Sequence, residues 1–311
     1  MTPKRALIFA GVAASLYAAF GYWVVTNFEI PEIRGWAWAL IGAAVVCQIG
    51  AKWFFGLQFR ESAEVVGEDI PQWSAFKAAL VGAGVARLIP VGGAVTPVAM
   101  SWTVRDEADG TAGAAIRATF LNYAGLLIIT GLGLLIARPI DDRLAIGSVS
   151  LVVLSPFVLL AGIAVMFGSG KLGTINKYLP EFLKKRLDES MVNHAPGWES
   201  QAYTWGRLVL EAAALWLVLT AFGIEVNAFQ VLAAFGASQI VGGLPGTPGG
   251  LGVTEGTLAV ILAAYGFSVS TTIAPVLVFR IVSYWLPAAL GFLAGGSTFL
   301  SSEEAKEAAQ S

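Results

Sequence analysis

The chain has 311 residues, of which 56% are hydrophobic and 13% are charged, and its mean hydropathy is +0.72. Soluble domains carry roughly 25% charged residues, so this composition excludes a soluble globular protein and indicates an integral membrane protein. The length accommodates about six to eight spans of roughly 20 residues with short loops, which leaves no room for a separate soluble catalytic domain. The formal net charge of -2 identifies no partner.

Six apolar segments are predicted to cross the membrane as full spans: 6–26, 35–55, 112–137, 144–167, 201–222 and 271–296. We expect the first to be retained, because no small-residue cleavage site and polar mature domain follow it. The polar connection 171–200 has leucines and lysines at helical spacing, which fits either an amphipathic helix on the cytoplasmic membrane surface or a solvated loop helix. We predict one membrane domain, 1–300, and a polar tail, 301–311.

A further apolar block, 227–266, is interrupted by the sequence GGLPGTPGGLGVTEG at 242–256. Glycines permit backbone angles that other residues avoid and prolines remove amide donors, so a straight helix cannot continue through this stretch. In a bilayer such backbone is tolerated only where protein or a watery cavity covers it. We therefore predict a re-entrant hairpin or broken helix inside the molecule. Its breaking residues are Pro245, Pro248, Gly249, Gly250 and Gly252.

The block 74–103 is interrupted in a similar way by RLIPVGGAVTP at 87–97, with breaking residues Pro90, Gly92 and Gly93. Each block is followed by a span with an arginine and then a tyrosine: Arg117 and Tyr123, Arg280 and Tyr284. Transporters commonly place their sites at such interrupted helices in inverted repeats. We predict an all-α integral membrane protein with about six full spans and two re-entrant or broken hairpins, forming an inverted repeat whose breaks meet near the midplane.

Basic residues predict the orientation of the chain. If each interrupted block returns to the side from which it enters, one side carries Lys4, Arg5, Lys52, Arg60, Lys77, Arg105, Lys171, Lys177, Lys184, Lys185, Arg186 and Lys306. By the positive-inside rule this side is cytoplasmic. We therefore expect a multi-pass protein of a bacterial or archaeal plasma membrane, with both termini in the cytoplasm.

Charged residues inside the predicted membrane segments are the candidate binding groups. On insertion scales each costs roughly 2.5 to 3.5 kcal/mol at the bilayer centre, so these side chains should face the interior or a cavity. They are Arg87, Arg117, Glu211, Glu255 and Arg280. Arginines outnumber the acids, and a guanidinium matches phosphate oxygens with two parallel hydrogen bonds, which favours an anionic head group as the ligand.

The two acids among these residues have several interpretations. Glu255 lies close to the start of a helix predicted over 254–266, where a carboxylate is favoured. It either pairs structurally with an arginine, balances the arginines around a ligand, or carries a coupling proton. Glu211 lies four residues after Arg207, so these two side chains share a helix face and can pair. Arg207 is the weakest candidate, because it is close enough to a span end to snorkel.

The sequence has none of the common enzyme signatures. H-E-x-x-H, G-x-S-x-G and G-x-x-x-x-G-K-[ST] are absent, and the single histidine, His194, has no cysteine or acidic cluster near it in sequence. Every aspartate falls in a predicted loop, which argues against an intramembrane aspartyl hydrolase. We predict no enzyme activity, no cofactor, no metal site, no nucleic-acid partner and no transport driven by ATP bound to this chain.

The interrupted blocks resemble a known family, the transmembrane flippase region of lysylphosphatidylglycerol synthases and its stand-alone relatives in bacteria and archaea. The resemblance rests on GGLPGTPGGLGVTEG, on RLIPVGG followed by a span with Arg117, and on the last span, LVFRIVSYWLPAALGFLAGG. It implies a multi-pass plasma-membrane protein that moves lipids between leaflets, with two opposed re-entrant elements meeting centrally. Two departures stand out. The soluble aminoacyl-transferase domain is lacking, so we expect no lysyl-lipid synthesis, and the residues at 94–97 replace a more polar continuation.

The leading hypothesis is a lipid flippase or scramblase. Its substrate would carry an anionic or zwitterionic head group with a phosphate, bound by Arg87, Arg117, Glu255, Arg280 and Tyr284. Two alternatives stay open at this point. One is a secondary transporter of a small soluble solute, which would share the broken helices. The other is a non-transporting membrane scaffold for a glycolipid enzyme, in which the buried charges would serve only helix assembly.

Overall fold

The structure is a computed structural model that describes residues 35–88, 95–108, 110–137, 145–146, 149–168, 196–243 and 250–299, with isolated positions before residue 34. Several predictions fall outside the described residues. They concern most of the first span, the connection 171–195 with His194, the tail 301–311, and the breaking residues Pro90, Gly92, Gly93, Pro245, Pro248 and Gly249.

Helices form almost all of the regular structure in the described ranges. The first half contains α1 (Ala37–Glu64), α2 (Gln72–Leu88), α3 (Val95–Thr103), α4 (Ala112–Ala137) and α5 (Leu151–Gly168). Between α4 and α5, β1 (Ala145–Ile146) pairs antiparallel with β2 (Val149–Ser150). The second half contains α6 (Trp198–Ala221), α7 (Ala228–Gly242), α8 (Val253–Ala264) and α9 (Val269–Arg280). α9 continues through a π-helical turn (Ile281–Trp285) into α10 (Leu286–Gly291), a second π-helical turn (Phe292–Gly296) and α11 (Ser297–Phe299).

Local sequence determines several of these helix boundaries. Asn227 caps α7, because its side-chain oxygen accepts hydrogen bonds from the N–H groups of Phe229 and Gln230 at 3.0 Å. The Gln230 side chain in turn accepts from the Asn227 N–H at 3.0 Å, which completes a capping box. Gly223 and Gly266 follow α6 and α8 with φ angles of 75° and 90°, where a glycine readily ends a helix.

Four described helical segments are long and apolar enough to cross a membrane: Ala37–Glu64, Ala112–Ala137, Trp198–Ala221 and Val269–Gly295. They correspond to four of the six predicted spans. The predicted span 144–167 is represented by α5, whose described apolar stretch, Val153–Met166, is shorter. Val153, Phe157 and Leu160 form an exposed face of this helix, as expected for side chains that contact lipid.

The helix that contains the predicted span 35–55 continues beyond it, since α1 ends at Glu64. The residues after Phe55 are polar, but they have partners that keep the helix intact. Gln58 donates to the Thr204 hydroxyl at 2.6 Å, and Arg60 pairs with Glu64 at 2.9 Å one turn later.

The longest helices α1 and α6 pack against each other in antiparallel orientation. Gln58 contacts Thr204, the Phe55 ring lies 3.9 Å from the Arg207 guanidinium, and Lys52 pairs with Glu211. Residue numbers therefore fall on α6 as they rise on α1. The seam between these two helices carries a file of buried polar side chains inside an otherwise apolar interface.

Glycines allow two further antiparallel contacts at close range. α4 packs on α7, where a methyl group at Gly133 would lie 2.5 Å from the backbone nitrogen of Ala233. α2 packs on α10, where a methyl group at Gly84 would lie 2.9 Å from the Cα atom of Gly291. In both contacts, the span that follows one interrupted block packs on the first helix of the other block.

Candidate functional site

In the described ranges, one helix ends before each predicted interruption and another begins after it. α2 ends at Leu88 and α3 begins at Val95, while α7 ends at Gly242 and α8 begins at Val253. Within each block the two helices pack against each other, as a hairpin requires.

Two glycines of the second interruption adopt backbone angles in the left-handed region. Gly250 has a φ of 69° and Gly252 has a φ of 82°. A methyl group at Gly250 would also lie 2.5 Å from the carbonyl oxygen of Gly242. The end of α7 and the start of α8 therefore approach each other more closely than any side chain would permit.

Glu255 lies in the first turn of α8 and uses both of its carboxylate oxygens. Oε2 accepts a hydrogen bond from the Gly252 N–H at 2.8 Å, and Oε1 accepts one from Arg280 Nε at 2.7 Å. The residue is 8% exposed, so the ion pair is shielded from solvent. Glu255 thus caps the helix after the second interruption and ties it to the last span.

Tyr284 connects the last span to the first interruption. Its hydroxyl donates to the backbone carbonyl oxygen of Arg87 at 2.7 Å, one residue before the end of α2. The Arg280 guanidinium lies 4.7 Å from the centroid of the Tyr284 ring, and the Arg87 guanidinium lies 5.7 Å from it, both within cation–π range. Arg87, Glu255, Arg280 and Tyr284 form one group that touches both interruptions, and we call it the bridge cluster.

Arg87 is held in part by a carbonyl group in the π-helical turn of the last span. Pro287 has no amide hydrogen, so it cannot donate to the Ser283 carbonyl four residues earlier. Arg87 Nη2 donates to this carbonyl at 2.9 Å, and its Nη1 donates to the carbonyl oxygen of Ala83. In the described part of the chain, Arg87 has no carboxylate within ion-pair distance. Its charge is therefore held by carbonyl dipoles and an aromatic ring rather than neutralised.

Arg117 does not belong to the bridge cluster. Its Nη1 lies 3.3 Å from Glu61 Oε2, and both side chains are largely buried. Glu61 lies on α1, nine residues after Lys52, which belongs to the buried group described next. The two residues are therefore about 13 Å apart along the helix axis. The sequence echo between the spans of Arg117 and Arg280 did not indicate this difference in surroundings.

Sequence reasoning missed a second buried group, which involves Lys52. Lys52 Nζ lies 2.5 Å from Glu211 Oε1, and Arg207 Nε lies 3.5 Å from the same oxygen. The pairing of Arg207 with Glu211 was predicted and is confirmed. Lys52, which was counted among the cytoplasmic basic residues, has a side chain that is 3% exposed and lies inside the α1–α6 seam. We call Lys52, Arg207 and Glu211 the triad.

The triad also corrects the expectation that Arg207 snorkels to a span end. Its side chain is 12% exposed and stacks on the Phe55 ring inside the α1–α6 seam. A signal for the triad was present only in part. The spacing of Arg207 and Glu211 predicts a pair, whereas Lys52 follows an apolar segment and its partner lies 159 residues away.

The bridge cluster and the triad are neighbours. Arg87 lies within electrostatic range of Glu211, Arg207 and Arg280. Together the two groups hold four cations and two carboxylates, which leaves an excess of two positive charges inside the helical bundle. Groups of three histidine, cysteine or acidic residues that could hold a metal ion are not found in the described ranges.

Residues 7–291 match the family model described as lysylphosphatidylglycerol synthase TM region. The chain belongs to this family. The resemblance drawn from the two interrupted blocks and the last span is thereby confirmed. The family relationship makes the chain a multi-pass membrane protein of a type associated with a lipid, in agreement with the apolar helices described above.

Two archaeal proteins are similar to parts of this chain. A UPF0104 membrane protein of Methanothermobacter thermautotrophicus is 33% identical over 86 residues, which cover 28% of this chain and 25% of the relative. A UPF0104 membrane protein of Pyrococcus horikoshii is 28% identical over 125 residues, which cover 39% of this chain and 34% of the relative. These matches span only about a quarter to a third of the relatives' own length, and the relatives' names state no activity.

Proposed function

We propose that this protein moves a phosphate-bearing lipid between the two leaflets of the plasma membrane. The head group would pass through the interior of the bundle near the two interruptions, while the acyl chains stay in the bilayer. The proposal assigns no chemical step to the chain. Its sites are the side chains of the bridge cluster, and no cofactor is needed.

The observation that carries this proposal is the state of Arg87. Its guanidinium lies inside the bundle at the end of α2 and, in the described ranges, is bound by the carbonyl groups of Ala83 and Ser283 without a carboxylate. A partly buried cation that lacks a counter-ion is costly, and a phosphate oxygen would relieve this cost. Arg280 and Tyr284 lie beside it and would complete a binding site for a phosphate group.

Glu255 has a supporting role in this proposal. Its two oxygens are already taken by the Gly252 N–H and by Arg280. We assign it to orienting Arg280 and to holding α8 against the last span. This assignment favours the structural interpretation of Glu255 over a proton carrier.

The helix contacts support an inverted repeat. α1 and α6, which occupy equivalent places before the two interrupted blocks, run antiparallel to each other. The contact of α4 with α7 is matched by the contact of α10 with α2, and both pairs are antiparallel. An inverted repeat would produce this exchange, and it would let the two interruptions face opposite sides of the membrane.

The family relationship favours a lipid over a soluble solute as substrate. The matching family is named for the membrane region of an enzyme whose product, lysylphosphatidylglycerol, is a lipid. We propose that both termini are cytoplasmic. Removing Lys52 from the predicted cytoplasmic group leaves eleven of its twelve basic residues, so the charge bias still supports this orientation.

The test is a flipping assay with the purified chain in phosphatidylcholine vesicles. An acyl-labelled fluorescent phosphatidylglycerol is added, and dithionite quenches the label in the outer leaflet. We expect the wild-type chain to accelerate quenching of the inner-leaflet label and Arg87→Gln to abolish this acceleration. Arg117→Gln is the matched control, because it also removes a largely buried arginine but lies outside the bridge cluster.

Two results would contradict the proposal. If wild-type protein leaves the inner-leaflet label protected for phosphatidylglycerol and for a zwitterionic phospholipid alike, the chain does not move such lipids. If Arg87→Gln and Arg117→Gln slow the quenching equally, Arg87 has no special place in binding. Only the first result supports the scaffold function, since the buried ion pairs would then serve assembly alone.

A further inference from the structure

Arg207 is the least satisfied charged side chain of the α1–α6 seam. Its Nη1 atom is buried and has no hydrogen-bond partner in the described part of the chain. Its contact with Glu211 is long, at 3.5 Å, and the same carboxylate oxygen is already bound by Lys52 at 2.5 Å. Two buried cations therefore share one oxygen atom, which leaves a net positive charge and a free donor.

The other buried arginine pairs do not share this arrangement. Glu255 receives Arg280 at 2.7 Å, and Glu61 receives Arg117 at 3.3 Å, with one cation for each carboxylate. If the triad served helix assembly alone, a second cation next to Lys52 would weaken it, because like charges repel in a medium of low dielectric constant. The surplus charge therefore indicates a ligand that carries negative charge.

The position of Arg207 relates it to the second interruption. Arg207 is within electrostatic range of Tyr123 on α4. A methyl group at Gly243, the residue that follows α7, would lie 2.6 Å from the Tyr123 hydroxyl oxygen. Arg207 thus acts electrostatically on a tyrosine that lies against the end of α7.

We infer that Arg207, together with Lys52, forms a second binding position for a phosphate group inside the bundle. The free Nη1 donor of Arg207 and the ammonium of Lys52 would bind the phosphate oxygens, while Glu211 holds the two cations in place. This inference rests on the proposed function and extends it. A head group would meet Arg87 beside one interruption and Arg207 beside the other. The chemistry suits the phosphodiester of a lipid and free phosphate alike.

The inference is tested by binding measurements on the full chain in detergent, with acyl-labelled phosphatidylglycerol as the probe. We expect Arg207→Gln to weaken binding by roughly tenfold or more, as the loss of a hydrogen bond to a charged partner requires. Arg207→Lys keeps the charge but loses the Nη1 donor, so its affinity for the lipid should fall between that of wild type and that of Arg207→Gln. Arg117→Gln is the matched control and should bind like wild type.

Inorganic phosphate is the second probe and distinguishes the two sources of the ligand. If it displaces the labelled lipid from wild type, the position accepts free phosphate. If it fails to do so while Arg207→Gln still loses the lipid, the position requires a lipid. Both results support the site. Near wild-type binding of both probes by folded Arg207→Gln and Arg207→Lys would overturn it.

The outcomes also separate this inference from the proposed function. Phosphate or lipid binding that depends on Arg207, in a wild-type chain that flips no lipid, would refute the flippase and keep the site. Normal flipping by Arg207→Gln, Arg207→Lys and wild type, with unchanged binding, would keep the flippase and refute the site.

Discussion

Tyr284 donates a hydrogen bond to the backbone carbonyl oxygen of Arg87 at 2.7 Å, although the two residues are 197 positions apart. The contact fixes the end of the helix before the first interruption to the π-helical turn of the last span. Arg280, one helical turn before Tyr284, stacks on the same ring and pairs with Glu255 at the second interruption. The last span therefore connects the two interruptions through three consecutive contacts.

Tyr284→Phe should distinguish the contribution of the hydroxyl group from that of the aromatic ring. The substitution keeps the ring beside Arg280 but removes the donor to the Arg87 carbonyl, which should lower the free energy of unfolding by about 1 kcal/mol. We expect a larger loss in flipping than in stability, because the end of α2 that positions Arg87 is released. Denaturation in detergent and the dithionite assay measure the two effects. Flipping at the wild-type rate would refute the importance of this hydrogen bond.

Substitutions of Glu255 should distinguish the contribution of its capping hydrogen bond to stability from the contribution of its ion pair. Glu255→Gln keeps an oxygen for the Gly252 N–H but removes the charge that faces Arg280, so we expect a loss of about 3 kcal/mol in unfolding free energy. Glu255→Ala also removes the cap and should cost about 1 kcal/mol more. Glu225→Gln, at an exposed position, is the control and should change little. Equal losses in Glu255→Gln and Glu255→Ala would contradict the capping role.

The geometry of the triad predicts that the loss of Glu211 lowers the free energy of unfolding more than the loss of Lys52 does. Glu211→Gln leaves Lys52 and Arg207 together without a counter-ion and should cost about 3 to 5 kcal/mol. Lys52→Met should cost less, because Glu211 can still pair with Arg207 and the methionine fills the apolar space of the lysine stem. Thermal unfolding of the two variants in one detergent tests this order. A greater loss in Lys52→Met would show that Arg207 does not compensate.

Gly291 allows α10 to approach α2, and Gly291→Ala should disrupt this contact. The added methyl group would collide with the carbonyl oxygen of Leu80, so we expect a loss of about 1 to 3 kcal/mol and weaker flipping. Gly42→Ala is the control, because a methyl group there meets nothing within 4 Å and alanine favours a helix. If both variants unfold at the wild-type temperature, α10 does not pack on α2 as described.

Much of the fold was predictable from local sequence. The spans 112–137 and 201–222 agree with α4 and α6 within a few residues, because a long apolar run has few alternatives to a membrane helix. The interruptions were also predictable, since glycines and prolines act on the backbone where they occur. The placement of Glu255 in the first turn of α8 follows from the same local reasoning.

The surroundings of the charged residues were less predictable. Lys52 was expected at a membrane surface because it follows an apolar run, yet its partner on α6 draws it into the bundle. Arg117 and Arg280 occupy similar places in sequence, but one pairs with Glu61 on α1 and the other with Glu255 on α8. A buried charge takes its position from whichever counter-charge the packing of distant helices brings within about 4 Å.

The sequence by itself determined that this chain is a membrane protein, and it predicted the stretches at which described helices end and restart. These features depend on hydropathy and backbone angles, which act over a few neighbouring residues. Only the tertiary structure decided that Tyr284 reaches Arg87, that Arg280 reaches Glu255, and that two cations share Glu211. Such contacts join residues that are far apart in sequence, so they depend on the antiparallel packing of whole helices and not on any local pattern.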